Sequence, residues 1–169
     1  MQDLPVFRVG EGHDTHRTIA NRPLKLGGLL IDCDFGLDGH SDADVLLHAI
    51  IDALLGAAGR GDIGTWFPNT SKEWHNADSG ELLQNVWQSL RTDGWVLQNL
   101  DCTIHAEMPR LETWKGPIRE RIAELLESPL SALNVKAKSG ERVGPVGRGE
   151  AITASAVVLL AKTPKKDPA

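Results

Sequence analysis

Tyrosine is absent from the 169 residues, and only two cysteines, two methionines and three phenylalanines are present. Two cysteines, Cys33 and Cys102, are too few for a disulfide framework or a thiolate metal cluster, and each reads as a reduced, small core residue. Long hydrophobic runs are missing as well. No apolar stretch approaches the roughly 18 to 20 residues needed to span a bilayer, and Met1 to Gly10 lacks the charged start and apolar core of a signal peptide. A cytoplasmic protein with no membrane partner is expected. Positive charge is the minority: 18 Lys and Arg stand against 23 Asp and Glu, a net charge of −5, with a pI near 5.6. That balance argues against nucleic acid or a membrane surface as the main partner, and leaves room for a local basic cluster that takes a small anion. The five tryptophans, at positions 66, 74, 87, 95 and 114, are scattered. They read as core or interface packing.

Internal repeats are lacking, and the glycine-rich run Gly140 to Glu150 fits neither a phosphate-binding P-loop nor a dinucleotide-binding turn. The 41% hydrophobic content suffices for one core, so a single domain over residues 1–163 is expected, with 164–169 as a disordered tail. Val6 to Gly12 and Leu24 to Ile31 read as strands, with Gly27-Gly28 marking a bulge or a close backbone approach. Val45, Leu46, Ala49, Ile50, Ala53, Leu54 and Ala57 recur at helical spacing. They predict a helix capped by Ser41 that ends near Gly59 and Gly61. Residues 61–78 carry turn residues and little periodicity, which predicts a long loop able to cover a substrate. A second helix, capped by Ser79 and ending at Gly94, is expected, then a strand over Trp95 to Glu107 and a third helix from Glu112 or Trp114 to Glu127. Strands over Leu133 to Lys138 and Ala151 to Ala161 complete the pattern. Three helices and interleaved strands without βαβ order predict an α+β fold, the helices packed on one face of a mixed or antiparallel sheet.

Asp14 and His16, two apart, share a face if the first strand extends that far, and His48 lies on the edge of the first helix. One carboxylate and two imidazoles suit zinc with a fourth position left open. Asp44 and Asp52 flank His48 one turn away on either side, so either could orient its second ring nitrogen. His40 precedes the expected helix N-terminus, where free N–H groups and the helix dipole favour a phosphate.

The ordered set Gly12-His13-Asp14-Thr15-His16, His40-Ser41-Asp42-Ala43-Asp44 with His48, Asp52 to Ala58 leading to Gly61-Asp62-Ile63-Gly64, Phe67-Pro68, Ala77-Asp78-Ser79, Asn134 to Ala137 and Gly147-Arg148-Gly149-Glu150 resembles the 2-C-methyl-D-erythritol 2,4-cyclodiphosphate synthases of the non-mevalonate isoprenoid pathway. The resemblance spans nearly the whole chain. It implies a homotrimeric, bacterial-type lyase that cyclises 4-diphosphocytidyl-2-C-methyl-D-erythritol 2-phosphate. In that reaction the 2-phosphate of the substrate attacks the β-phosphorus and CMP leaves. It also implies zinc on Asp14, His16 and His48, and a second divalent ion, Mg or Mn, on Glu141. His40 and Ser41, with the backbone of Asp62, Ile63 and Gly64, would hold the methylerythritol and its phosphates. Ala106, Met108, Pro109, Arg110, Leu111, Ala137, Lys138 and Ser139 would form the cytidine pocket, and Arg148 and Glu150 would lie on the trimer axis, with active sites between subunits.

The chain departs from the family pattern in three places. Lys138-Ser139 stands where many relatives have two hydroxyl residues, Arg110 where many have Lys, and His13 and Pro145 where some have Phe beside an axial isoprenoid diphosphate. Two other readings compete: a zinc-dependent phosphoester hydrolase, which needs a metal-bound water with a base beside it, and a trimeric binding module in which the metal only stiffens the fold.

Overall fold

Side-chain alternation along the first strand decides where the rest of the protein sits. A computed structural model describes residues 5–68, 70, 71, 74 and 76–162; the tail assigned to 164–169 lies outside the described residues. Strand β1 runs over Val6–Ala20, well past the expected end at Gly12. Gly10 and Gly12 are buried and Asp14 and His16 half-buried, whereas Val9, Glu11, His13 and Thr15 are exposed. The two-residue period therefore puts both glycines and both candidate ligands on the face that meets the helices.

The expected strand over Leu24 to Ile31 is instead a hairpin. β2 (Leu24–Leu26) and β3 (Leu29–Ile31) pair antiparallel around Gly27 and Gly28, whose φ angles are 63° and 77°. Two successive positive φ values are what a two-residue primed turn needs, and glycine supplies them without a Cβ clash. A short strand not foreseen, β4 (Phe35–Leu37), pairs with the end of β1.

Helix α1 covers Val45–Ala58, and its cap is Asp44, not Ser41. Ala43, at φ 59°, keeps the helix from starting earlier, and the Asp44 carboxylate accepts from Leu47 N at 3.1 Å. The same carboxylate accepts from Gly27 N at 2.9 Å and Gly28 N at 2.7 Å. One buried side chain thus ends a helix and anchors a hairpin turn. Ten residues of α1 are buried, on every side of the helix, so its register is fixed by packing all round. Gly59, at φ 69°, closes it.

The expected long loop contains a short helix, α2 (Ile63–Trp66). α3 (Ser79–Thr92) is capped by Asp78, whose side chain accepts from Gly80 N and Glu81 N; Ser79, the expected cap, is its first residue. β5 (Trp95–His105) and α4 (Lys115–Leu125) follow. A 3-10 turn at Leu130–Ala132 leads into β6 (Leu133–Lys138). The glycine-rich run contains a one-turn helix, α5 (Gly144–Gly147), before β7 (Ala151–Lys162).

The main sheet has the order β4-β1-β7-β5-β6. Only β5 and β6 run parallel; the other neighbours are antiparallel. α1 lies over β1 and β7, and α3 and α4 continue the layer over β5 and β6. This is the expected mixed-sheet α+β architecture with its helices on one face. Between the layers Leu46, Ile50, Leu54, Leu83, Leu90, Ile104, Ile118, Ile122, Ala154 and Leu160 are wholly or almost wholly buried. Each such Leu or Ile is worth about 1.5–3 kcal/mol of burial. The other sheet face leaves Phe7, Val9, Val96 and Val157 exposed. Among the described residues, no helix is long and apolar enough to cross a membrane.

Candidate functional site

Gly10 and Gly12 bring α1 down onto the backbone of β1. A Cβ at Gly10 would lie 1.9 Å from the carbonyl oxygen of Ala53, and one at Gly12 would lie 2.0 Å from that of Ala49. Two strand residues advance about 6.8 Å and four helix residues about 6 Å, so strand and helix stay in step along this contact. The next step pairs Asp14 with the first turns of α1, where His48 stands. Gly39 leaves room for the other ring, since a Cβ there would meet His16 Cε1 at 2.9 Å.

Three donor atoms converge as a result. Asp14 Oδ2 is 3.0 Å from His16 Nε2 and 3.0 Å from His48 Nδ1, and the two nitrogens are 3.1 Å apart. In a tetrahedral zinc site with bonds of about 2.0–2.1 Å, donor atoms stand about 3.3 Å apart. One carboxylate oxygen and two imidazole nitrogens therefore fit one zinc ion after a shift of a few tenths of an ångström. His16 Nδ1 sits 2.6 Å from the carbonyl oxygen of Asp38. A carbonyl can only accept, so Nδ1 carries the proton and Nε2 presents its lone pair to the centre of the triangle.

The aspartates expected to orient His48 do not do so. Asp44 is taken by the three backbone N–H groups already described, and Asp52 accepts from Ile63 N at 2.7 Å. His48 Nε2 instead faces two hydroxyls, Ser41 Oγ at 3.1 Å and Ser79 Oγ at 2.9 Å.

Burial works against a charged Asp14, but the hydrogen bonds and charges of His16 and His48 outweigh it and hold the carboxyl well below its usual range. Burial likewise lowers His16, and the hydrogen bond and charge of Asp14 with the Asp38 carbonyl more than reverse it, leaving the imidazole above its ordinary value. The carboxylate is thus ready to ligate at any ordinary pH, and protons compete with a metal at His16.

This triangle lies in a cavity of about 230 Å³ that His40, Ser41, Asp52, Ile63, Gly64 and Phe67 also line. Trp74 closes one side, its ring edge-on to Phe67 at 5.0 Å between centroids. The helix expected to begin beside His40 starts only after Asp44, four residues further on. The Asp44 carboxylate, in a buried turn, takes one of the first N–H groups of α1, that of Leu47, at 3.1 Å. Asp62 is exposed, and its carboxylate accepts from Thr65 N and Thr65 Oγ1, so Ile63 and Gly64 reach the cavity without it.

A second cavity, of about 570 Å³, lies between the ends of β5 and β6 and the loop after β6. Ala106, Pro109, Arg110, Leu111, Ala137, Lys138, Ser139 and Glu141 line it, together with Glu107, Glu112 and Arg142. Met108 is exposed nearby and is not part of its wall. The loop is held tightly, because Glu107 Oε2 accepts from Gly140 N at 3.1 Å and a Cβ at Gly140 would meet Gly147 N at 2.3 Å. Glu141 and Arg142 sit at φ 49° and 61°. Non-glycine residues held there carry strain, which often marks functional loops. Glu141 Oε1 accepts from Ser139 Oγ at 2.8 Å.

A model of the YgbB family matches residues 7–161. The chain belongs to the YgbB family. A relative from Geobacillus kaustophilus (strain HTA426), named 2-C-methyl-D-erythritol 2,4-cyclodiphosphate synthase, is 52% identical over 158 residues, which is 94% of this chain and 100% of that one. The bifunctional IspDF of Campylobacter jejuni superposes with a TM-score of 0.90 at 39% identity, over 94% of this chain and 43% of that longer one. IspF from Plasmodium falciparum, solved as a CDP complex, gives a TM-score of 0.82 at 30% identity, over 94% and 97% of the two chains.

Within this YgbB chain the two cavities share no lining residue, and Glu141 lines the second, not the one with the metal triangle. Arg148 and Glu150 lie in neither. They form a bidentate pair, Nε to Oε1 at 2.8 Å and a second nitrogen to Oε2 at 2.9 Å, before β7. Sequence reading missed Asp38, Asp42 and Ser79 around the metal triangle and Glu107, Glu112 and Arg142 around the second cavity. Ser79 was visible as a helix cap and as part of the family likeness, and nothing in the local sequence links it to His48, 31 residues away.

Proposed function

We propose that the chain is a 2-C-methyl-D-erythritol 2,4-cyclodiphosphate synthase, a lyase of isoprenoid biosynthesis. It converts 4-diphosphocytidyl-2-C-methyl-D-erythritol 2-phosphate to the 2,4-cyclodiphosphate and CMP. The observation that carries this reading is the triangle of Asp14, His16 and His48, found in a chain that matches a relative of that name from end to end. Asp14, His16 and His48 hold a zinc ion, which supplies Lewis acidity toward a phosphate oxygen. Glu141 holds a second divalent cation, Mg or Mn, for which one carboxylate plus substrate phosphates is an ordinary ligand set.

The chain's own residues bind and position. His40, Ser41 and the backbone from Asp62 to Gly64 orient the methylerythritol phosphate. Ala106, Met108, Pro109, Arg110, Leu111, Ala137, Lys138 and Ser139 seat the cytidine end, with Lys138 offering a cation. Folding one substrate so that its 2-phosphate meets its own β-phosphorus needs no protein nucleophile, and the rate gain comes from proximity and charge placement. The metal triangle and Glu141 belong to different cavities of one chain. We therefore take the working enzyme to be a homotrimer in which the metal cavity of one subunit faces the second cavity of its neighbour, with Arg148 and Glu150 toward the axis. Residues 1–163 form one catalytic domain of a cytoplasmic enzyme in this reading.

Incubation with the cytidyl substrate tests the proposal. Free CMP with a cyclic diphosphate is the expected result. A linear hydrolysis product would instead establish the zinc-dependent phosphoester hydrolase.

A further inference from the structure

The side of His48 that faces away from Asp14 is built with more care than a buried histidine needs. Ser79 is fully buried. Its hydroxyl donates to Asp42 Oδ1, and its backbone N–H donates to Asp42 Oδ2 at 3.1 Å. Asp42 is anchored in turn by Lys25 of β2, whose Nζ lies 3.1 Å from Oδ2 and 2.8 Å from Asp78 Oδ2. The hydroxyl proton of Ser79 goes to a carboxylate, so its oxygen can only accept from His48 Nε2, 2.9 Å away. Nε2 must then carry the ring proton, and Nδ1 is left bare toward Asp14 and His16. Ser41 cannot fix this tautomer by itself, because among the described residues its hydroxyl has no carboxylate partner and its oxygen already accepts from Ala43 N at 3.2 Å.

We propose that Ser79, held by Asp42 and Lys25, is the positioning residue that locks His48 in the Nδ1-ligating tautomer and orientation for the divalent metal. The chain of groups is Lys25 to Asp42 to Ser79 to His48, and it ties the β2–β3 hairpin and the start of α3 to the metal triangle. A hydroxyl interposed between carboxylate and imidazole replaces the direct carboxylate contact that metal-bound histidines often have. The inference rests on the metal assignment above.

Zinc affinity of the whole protein, measured by competition with a chromophoric chelator, tests it, with circular dichroism and thermal melts of the metal-free and zinc-loaded forms. Loss of an outer partner of this kind costs roughly 10- to 100-fold in metal affinity. Ser79→Ala and Asp42→Asn are each expected to weaken zinc by that amount, and Ser79→Thr, which keeps the hydroxyl, to restore most of it. A role confined to stability would lower the melting temperatures of both forms equally and leave the zinc dissociation constant alone. If Ser79→Ala folds and binds zinc within twofold of the parent, the inference is overturned. Should Ser79→Ala fail to fold, Asp42→Asn and Ser79→Thr decide by the same comparison. A parent protein that binds no zinc defeats the metal assignment instead, which separates the two failures.

Discussion

The two cavities achieve position by opposite means. The metal triangle stands on a strand and a helix at the edge of the core, with glycines setting their separation and hydrogen bonds fixing the far side of each ring. The second cavity hangs on strand ends and a strained loop, with exposed charged side chains, Lys138, Arg110, Glu141 and Arg142, around its rim. Rigid elements suit a site that must place three atoms within a few tenths of an ångström, and a loop with exposed cations suits a charged ligand that it meets from solvent. Change at the first should therefore act all or none, and change at the second by degrees.

The sharpest break in that comparison is His48→Ala, which removes one of three donors. It is expected to leave a folded protein with almost no zinc and no detectable turnover; a full equivalent of zinc by metal analysis would refute the ligand set. Glu141→Gln comes next, with turnover falling roughly 100- to 1,000-fold for loss of one charge at the reacting phosphates and zinc content unchanged. Unaltered turnover would return Glu141 to the status of a loop carboxylate. Loss of zinc would break the separation between the cavities.

Acidity offers a subtler probe of the metal triangle. Asp14 is held below its ordinary 3.8, so its stabilising contribution is present above that value and fades as pH falls through the lower folded value. His16 is raised above its ordinary 6.5, so its contribution is present below 6.5 and fades as pH rises through the raised folded value. The metal-free protein should lose melting temperature as pH climbs across that interval, relative to His16→Gln. Zinc affinity should climb over the same range, because the metal needs the unprotonated ring. Parallel rather than opposed trends would contradict the assignment. The smallest effect is expected at exposed Lys138. Lys138→Ala should raise KM by about 3- to 10-fold with little change in kcat, and added salt should shrink the difference. A large fall in kcat would place Lys138 nearer the chemistry than its position on the rim suggests.

The ligand triad was readable because Asp14 and His16 obey the two-residue period of a strand and His48 sits at the edge of an apolar helical stripe. Its supports were not. Asp44 and Asp52 do stand one turn from His48, yet buried backbone N–H groups at Gly27, Gly28, Leu47 and Ile63 claim their oxygens first, a competition invisible without the tertiary fold. The hairpin at Gly27-Gly28 was legible as a place where the backbone bends, but the positive φ of both glycines turns the chain back where a bulge would only have bent it. The second cavity drew its residues from family likeness, and the structure gathers all of them but Met108 around one space.

Gly10 and Gly12 were described above as permitting a close approach, and the same contact acts as a gauge. The ligand distance from His48 to Asp14 and His16 is set two and four residues upstream of the first ligand, by side chains that do not exist. Any bulk added there would tilt α1 away and move His48 from Asp14 and His16, which stay together on β1, without touching a donor atom. The spacing open to the proposed ion is thus set from outside its three donors, and the two glycines are where a larger cation would have to be accommodated.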